Sequence, residues 1–292
     1  MKFIFENSRG ETLDLWNNDL FYLVNLGGQT SANTDISSLV LGDIDGDLIT
    51  NVRTQPRTIA LTLRINPAVN VEYAKREILK IVKLKQKAKL TWFQNERTLA
   101  ITGTVESIDM PRWNNAVAMQ ISIHCSVPFW EDTEETVQQI DDAIGLHYFT
   151  ALDDYSSEML FFPDGGIAFG EFNTTMSRTF YNAGDVAVGM IIEIMAIDPV
   201  TNPIIYDVYG NFFGVGYGTK PVTLSAGETI EINTSSGELS VTRNGSTSLF
   251  NYVAPRSTWL QLQTGENTFR IDNADHSTGN MVFSLIYKQR YI

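Results

Sequence analysis

The chain has 292 residues, of which 43% are hydrophobic and 19% charged, a composition that can bury sizeable cores and excludes a disordered polymer. Its formal net charge of −13 is unevenly placed: residues 1–130 hold 14 Lys and Arg against 13 Asp and Glu, and residues 131–292 hold 7 against 21. The split sets a domain boundary near Trp130, and the acidic second half is ill suited to a phosphate backbone or an anionic lipid surface.

In chain order, FIFENSRGETLDLW reads as a hairpin turning at Ser8, Arg9 and Gly10, with Leu13 and Leu15 on one strand face. Residues 16–56 are largely polar or Gly-bearing, and a long loop or irregular hairpin is expected there. In RTIALTLRI, Ile59, Leu61, Leu63 and Ile65 alternate with Ala60, Thr62 and Arg64, so one face is core. After Asn66-Pro67 the period changes, and VEYAKREILKIVKLKQK places Ala74, Ile78, Ile81 and Val82 on one helical face. AKLTWFQNERTLAITGTVESI predicts two strands around Asn95, Glu96 and Arg97. AVAMQISIHCSVPFW then puts Val117, Met119, Ile121, Ile123, Cys125 and Val127 on a core face, with His124 facing away.

Residues 131–177 contain no Lys or Arg and eleven acids. Residues 131–142 read as an acidic linker, with room for one short helix, and LHYFTALDDYSSEMLFF as the first strands or an entry segment of a second domain spanning 143–292. Short strands follow at TFYN, MIIEIMAI, IIYDVYG and NFFGVGYG. From Pro221 onward a meander is expected: Ile230 with Ile232, Leu239 with Val241, and Leu260 with Leu262 alternate ahead of Phe269 and Ile271, with turns at SSG and Asn244-Gly245. The fold class is mainly β, with a sandwich-like first domain carrying one helix and a β-sandwich second domain.

Candidate chemistry is sparse. The lone Cys125 excludes an internal disulfide framework and any zinc cluster with two or more thiolates, and adjacent strand residues diverge, so His124 and Cys125 form no dyad. His147 and His276 have no acid at metal-ligand spacing. Asp43, Asp45 and Asp47 suggest calcium, but the sixth and twelfth loop positions of an EF-hand fall on Leu48 and Thr54, so a polar turn is expected. Gly214, Gly216 and Gly218 lack the strand-to-helix setting of a nucleotide loop and predict a bulged or hairpin-forming strand. Neither catalytic residues, cofactor nor metal is predicted, and no enzyme activity. No segment approaches the roughly 18 apolar residues of a membrane span, and MKFIFENSRG is too short an apolar run for a signal peptide, so no membrane insertion is expected and synthesis is expected in the cytoplasm. Lys80, Lys83 and Lys85 are candidates for subunit contact, with a solvated helix face as the alternative. Trp259, Tyr252, Tyr217 and Tyr209 are candidates for carbohydrate or partner contact, with core packing as the alternative.

Three stretches resemble the distal tail protein of long-tailed phages, the siphophage tail component family: ISIHCSVPFW closing the first domain, FYNAGDVAVGMIIEI with NPIIYDVYG opening the second, and VTLSAGETIEINTSSGELSV with TWLQLQTGENTFRI near the end. The resemblance covers most of the chain and is weakest at residues 16–50 and 131–165. It implies a structural virion protein of the tail tip or baseplate: first domains closing a homo-hexameric ring between the tail tube protein and the tail-tip hub protein, and outward second domains of carbohydrate-module-like, jelly-roll or galectin-like fold. Those second domains are implied to hold receptor-binding or other baseplate proteins, or to touch host cell-surface glycans. A carbohydrate-binding adhesion module is the alternative function, and a hydrolase with a dispersed carboxylate pair a third.

Overall fold

The computed structural model describes residues 2–30, 32–42, 45–94, 97–110, 112–113, 116–139, 177–274 and 281–292. The chain divides into two compact units, Met1–Glu134 with Lys288–Ile292, and Glu135–Tyr287.

The first unit opens with β1 (Lys2–Asn7) and β2 (Thr12–Asp14), the expected hairpin, which buries Phe3, Phe5, Leu13 and Leu15. Then follow β3 (Phe21–Gly27), β4 (Thr34–Val40), β5 (Asp47–Thr54), β6 (Arg57–Ile65), α1 (Val71–Ile81), β7 (Lys87–Phe93), β8 (Thr98–Asp109), β9 (Arg112–Trp113), β10 (Ala116–Cys125) and β11 (Trp130–Asp132). Seven of them form an antiparallel sheet in the order β2-β1-β7-β8-β10-β6-β3, and β9 and β11 are added on β10 and β8. The alternation of β6 and β10 is the spine of the core. Ile59, Leu61, Leu63, Met119 and Ile121 are fully enclosed, and Ile121 lies opposite Leu61. Gly103 of β8 lets β10 approach: a Cβ there would meet the His124 carbonyl oxygen at 2.6 Å. Helix α1 starts where Asn70 caps it, the Asn70 Oδ1 accepting from the Glu72 and Tyr73 amides, and it buries Ala74 and Ile78 with Val82 just beyond its end.

Several expectations change. Residues 16–56 contain a third strand, β3, paired along β6, and not only a loop or hairpin. FYLVNLG carries apolar residues on both strand faces and is broken by a register shift between Leu23 and Asn25, so no clean alternation marks it. Val127 is exposed, because β10 ends at Cys125 and the core alternation ends with it. Trp130–Asp132 and Thr136–Gln139 are strands within or beside the stretch expected as linker or short helix. Two of the acidic side chains there are engaged: Arg290 Nε donates to Glu131 Oε1 at 2.7 Å, and the Tyr291 hydroxyl donates to Asp132 Oδ2 at 3.2 Å.

The second unit contains β12 (Thr136–Gln139), β13 (Ser177–Asn182), β14 (Ile191–Ala196), β15 (Val200–Thr201), β16 (Ile204–Asp207), β17 (Phe212–Gly214), β18 (Thr223–Leu224), β19 (Thr229–Asn233), β20 (Ser240–Arg243), β21 (Thr247–Ser248), a 3-10 turn at Phe250–Tyr252, β22 (Gly265–Asp272) and β23 (Met281–Tyr287). A six-stranded sheet, β12-β23-β14-β19-β20-β21, faces a four-stranded sheet, β13-β22-β16-β17, across a shared core. Phe180 on the smaller sheet meets Phe283 on the larger at 5.7 Å between ring centroids. This is the β-sandwich expected. The meander after Pro221 is divided between the sheets, however: β19, β20 and β21 lie in the larger one, and the chain crosses at Leu260 and Leu262, both buried, to place β22 in the smaller. Leu239 precedes β20 and is exposed, so only Val241 of that pair reaches the core. Asn244 (φ 50°) and Gly245 (φ 64°) both adopt the left-handed conformation that a tight hairpin turn requires. LHYFTALDDYSSEMLFF lies outside the described residues.

The chain ends with β24 (Arg290–Tyr291), which joins the first unit's sheet by pairing with β11, Trp130 opposite Tyr291. Trp130 is buried there, and its indole N–H donates to the Gln29 carbonyl at 3.1 Å.

Candidate functional site

Among the described residues strands β4 and β5 pair only with each other, in a two-stranded sheet with a register shift between Ser37 and Ser38. Pleating and the register Ile36–Val52, Ser38–Ile49, Val40–Asp47 put Ile36, Val40, Ile49 and Val52 on one face. All four are exposed, Val40 to 73%. Asp35 and Arg53, opposite one another at 2.9 Å, lie on the other face. At the base of the hairpin the Gln55 amide donates to the Asn33 carbonyl, and Arg57 donates from Nη1 to the Gln29 carbonyl at 3.2 Å. Burial lowers the pKa of the Arg57 guanidinium. The result is an apolar blade fixed at its root. Sequence reading did not single out these residues, although the alternation in DISSLV and the apolar LITNV were visible.

The basic residues stand apart from that blade's apolar stripe. Lys80 pairs with Glu77 one helical turn earlier, at 2.7 Å, while Lys83 and Lys85 are exposed on the connection between α1 and β7. Lys85 has φ 63°, held by its amide donating to the Val105 carbonyl. Across the connection, the Asn7 side chain lowers the Glu11 carboxyl pKa, with Arg9 and Lys83 adding to the effect.

The four aromatic candidates of the second unit separate into two groups. Tyr209 and Trp259 line one groove of about 420 Å³, between the Asp207–Asn211 turn and the Thr258–Phe269 segment. Tyr209 is 82% exposed. Trp259 is partly buried, its ring 4.7 Å from Phe213 and stacked near Phe250 at 5.9 Å, so core packing and the groove share it. Tyr217 and Tyr252 do not line the groove. They are neighbours through the Gly216 amide, which donates to the Tyr252 carbonyl, and Lys220 lies 6.0 Å from the Tyr252 ring. Gln261 and Gln263, which do line the groove, were not singled out from sequence because alternation with buried Leu260 and Leu262 makes them read as an ordinary wet strand face.

The remaining motifs carry no assembled chemistry. Among the described residues no three His, Cys, Asp or Glu side chains gather as metal ligands. Asp43, His147 and His276 lie outside those residues. Cys125 is buried, and burial pushes its thiol up to about 11. His124 is exposed on the opposite face of β10. Gly214 sits in β17 and Gly216 has φ 90°, followed by a bridge between Tyr217 and Lys220, the geometry of a hairpin and not of a phosphate cradle. Among the described residues no helix is long and apolar enough to cross a membrane.

Residues 183–291 match the family model of the siphovirus-type tail component, C-terminal domain. No curated protein matches. Among solved structures, the crystal structure of the SPP1 Dit (gp 19.1) protein, described as a paradigm of the hub adsorption apparatus in phages infecting Gram-positive bacteria, aligns over 99% of this chain and 99% of its own. Its TM-score is 0.70 and its sequence identity 11%. A chain of the phage P2 baseplate in its activated conformation with calcium covers 100% of this chain and 99% of its own, at 13% identity and a TM-score of 0.48. Residues 183–291 are thus similar to the C-terminal domain of the siphovirus-type tail component, and the whole chain shares the fold of the SPP1 Dit protein.

Proposed function

We propose that the chain is a structural hub protein of the phage tail tip, whose first units close a ring of six copies between the tail tube protein and the tail-tip hub protein. In this reading the protein resides in the virion, is made in the host cytoplasm and catalyses nothing. Its second units present a sandwich surface to receptor-binding or other baseplate proteins.

The observation that carries the reading is the β4–β5 hairpin. A two-stranded ribbon alone in water is marginal, and this one exposes Ile36, Val40, Ile49 and Val52 on one face. Covering such side chains contributes roughly 1.5–3 kcal/mol each when burial is complete. A neighbouring copy that seats the blade on a different part of its own first unit makes a heterologous contact, and a heterologous contact repeated with rotation closes a ring. In this reading the exposed Lys83 and Lys85 help set register by charge. The fold shared with SPP1 Dit, a hub protein, supports the assignment.

The test is light scattering on the eluting full-length chain, comparing wild type with the double variant Ile36→Asn, Val52→Asn. Wild type runs at six times the 32.7 kDa chain mass. The variant runs as a monomer with unchanged circular dichroism, because both side chains are exposed in the single chain. A variant that remains in the ring removes the hairpin from the interface.

A further inference from the structure

We propose that the groove between the Asp207–Asn211 turn and the Thr258–Phe269 segment of the second unit is a binding site for a neutral oligosaccharide. At about 420 Å³ it falls inside the roughly 300–1,000 Å³ range of small-molecule sites.

Its chemistry selects the ligand class. Tyr209 stands at the rim with its ring exposed, and Trp259 contributes a second aromatic edge from the core side. Aromatic faces take the apolar C–H faces of a sugar ring, as they take other flat apolar surfaces, without demanding a charge. Gln261, Gln263 and Thr258 also line the groove, all exposed and, among the described residues, with side chains engaged in no hydrogen bond, so amide and hydroxyl groups are available to a ligand. No Lys or Arg lines the groove, and Glu266 adds a carboxylate. That combination works against phosphate, nucleic acid or any acidic sugar. An apolar ligand would cover the amides and leave them unpaired. A ligand rich in hydroxyls and without charge satisfies both the rings and the amides.

The groove is also held in shape before anything binds. Asp207 spends its carboxylate on its own turn, Oδ1 accepting from the Tyr209 and Asn211 amides at 2.9 and 2.8 Å and Oδ2 from the Asn211 side chain at 2.8 Å. On the facing wall, buried Asn267 donates to the Gln263 and Gly265 carbonyls and accepts from the Gln263 amide at 2.7 Å. Two walls fixed by internal bonds lose little freedom on binding, which favours measurable affinity for a small ligand.

The test titrates the full-length chain with cellotetraose, maltotetraose and chitotetraose, followed by tryptophan fluorescence and calorimetry. At least one saturates at millimolar concentration, and Tyr209→Ala and Gln261→Ala each weaken it by about tenfold or more, the size expected for removing an anchoring contact. Both side chains are exposed, so melting temperature and oligomer mass stay at the wild-type values, which separates this site from the ring. No saturation by any of the three sugars overturns the proposal, and so does binding that survives both substitutions. A tail protein captured by wild type and lost in Tyr209→Ala, with no sugar bound, reassigns the groove to a protein partner.

Discussion

Arg243 and Glu228 form an ion pair in the second unit, joining the turn before β19 to the end of β20. The Arg243 side chain, helped by the Ser225 amide, holds the Glu228 carboxyl down to about 2 from an ordinary 4.5. A carboxyl depressed on folding contributes stability that is complete above its unfolded pKa and is lost as pH falls toward the folded one. Acid unfolding of the second unit therefore draws on this pair between about pH 4.5 and about pH 2. Glu228→Gln flattens the melting temperature across that window relative to wild type, and an unchanged slope would remove the pair from the account. Cys125 gives a second readout at this scale. Buried, with its thiol raised to about 11, it stays unreactive toward a maleimide in the native protein and is labelled only at the rate at which the first unit opens. Labelling within seconds under native conditions contradicts its placement.

At the scale of elements, the strict alternation in β6 and β10 defines the first core. Ile121→Asp places an uncompensated carboxylate opposite Leu61 and costs on the order of 3–5 kcal/mol, enough to unfold that unit. A cooperative native-like melt of the first unit in this variant would show the face to be misplaced. These strands, the helix and the sandwich character of the second unit were legible because one face of each is wet and the other dry, which writes burial directly into the order of residues. What was not legible had another cause in each case. Strand β3 is apolar on both faces; β24 is two residues long and exists because Tyr291 finds Trp130; Leu239 and Val127 continue a pattern past the point where the backbone leaves the sheet. The crossing from the larger to the smaller sheet at Leu260 and Leu262 is a tertiary choice that local alternation does not encode. The groove was half visible. Tyr209 and Trp259 could be named one by one, but the facing walls that join them come from segments far apart in sequence, each organised by a buried or turn-forming Asn or Asp.

For the whole molecule, two compact units with separate cores fit a division of labour in which one builds a ring and the other displays a surface. The charge follows the same division, near neutral up to Trp130 and strongly acidic beyond it. In the proposed ring, a near-neutral first unit would pack six times about an axis without accumulating repulsion, and an acidic second unit would keep such an assembly soluble. The exposed stripe of Ile36, Val40, Ile49 and Val52 is a cost to the single chain that the proposed ring would offset. The measurement that tests this most directly is the solution mass of the full-length chain. The account predicts a closed species at six times 32.7 kDa that falls to the monomer when Ile36 and Val52 are both replaced by Asn, whereas a wild-type chain that remains a monomer at every concentration tested contradicts it.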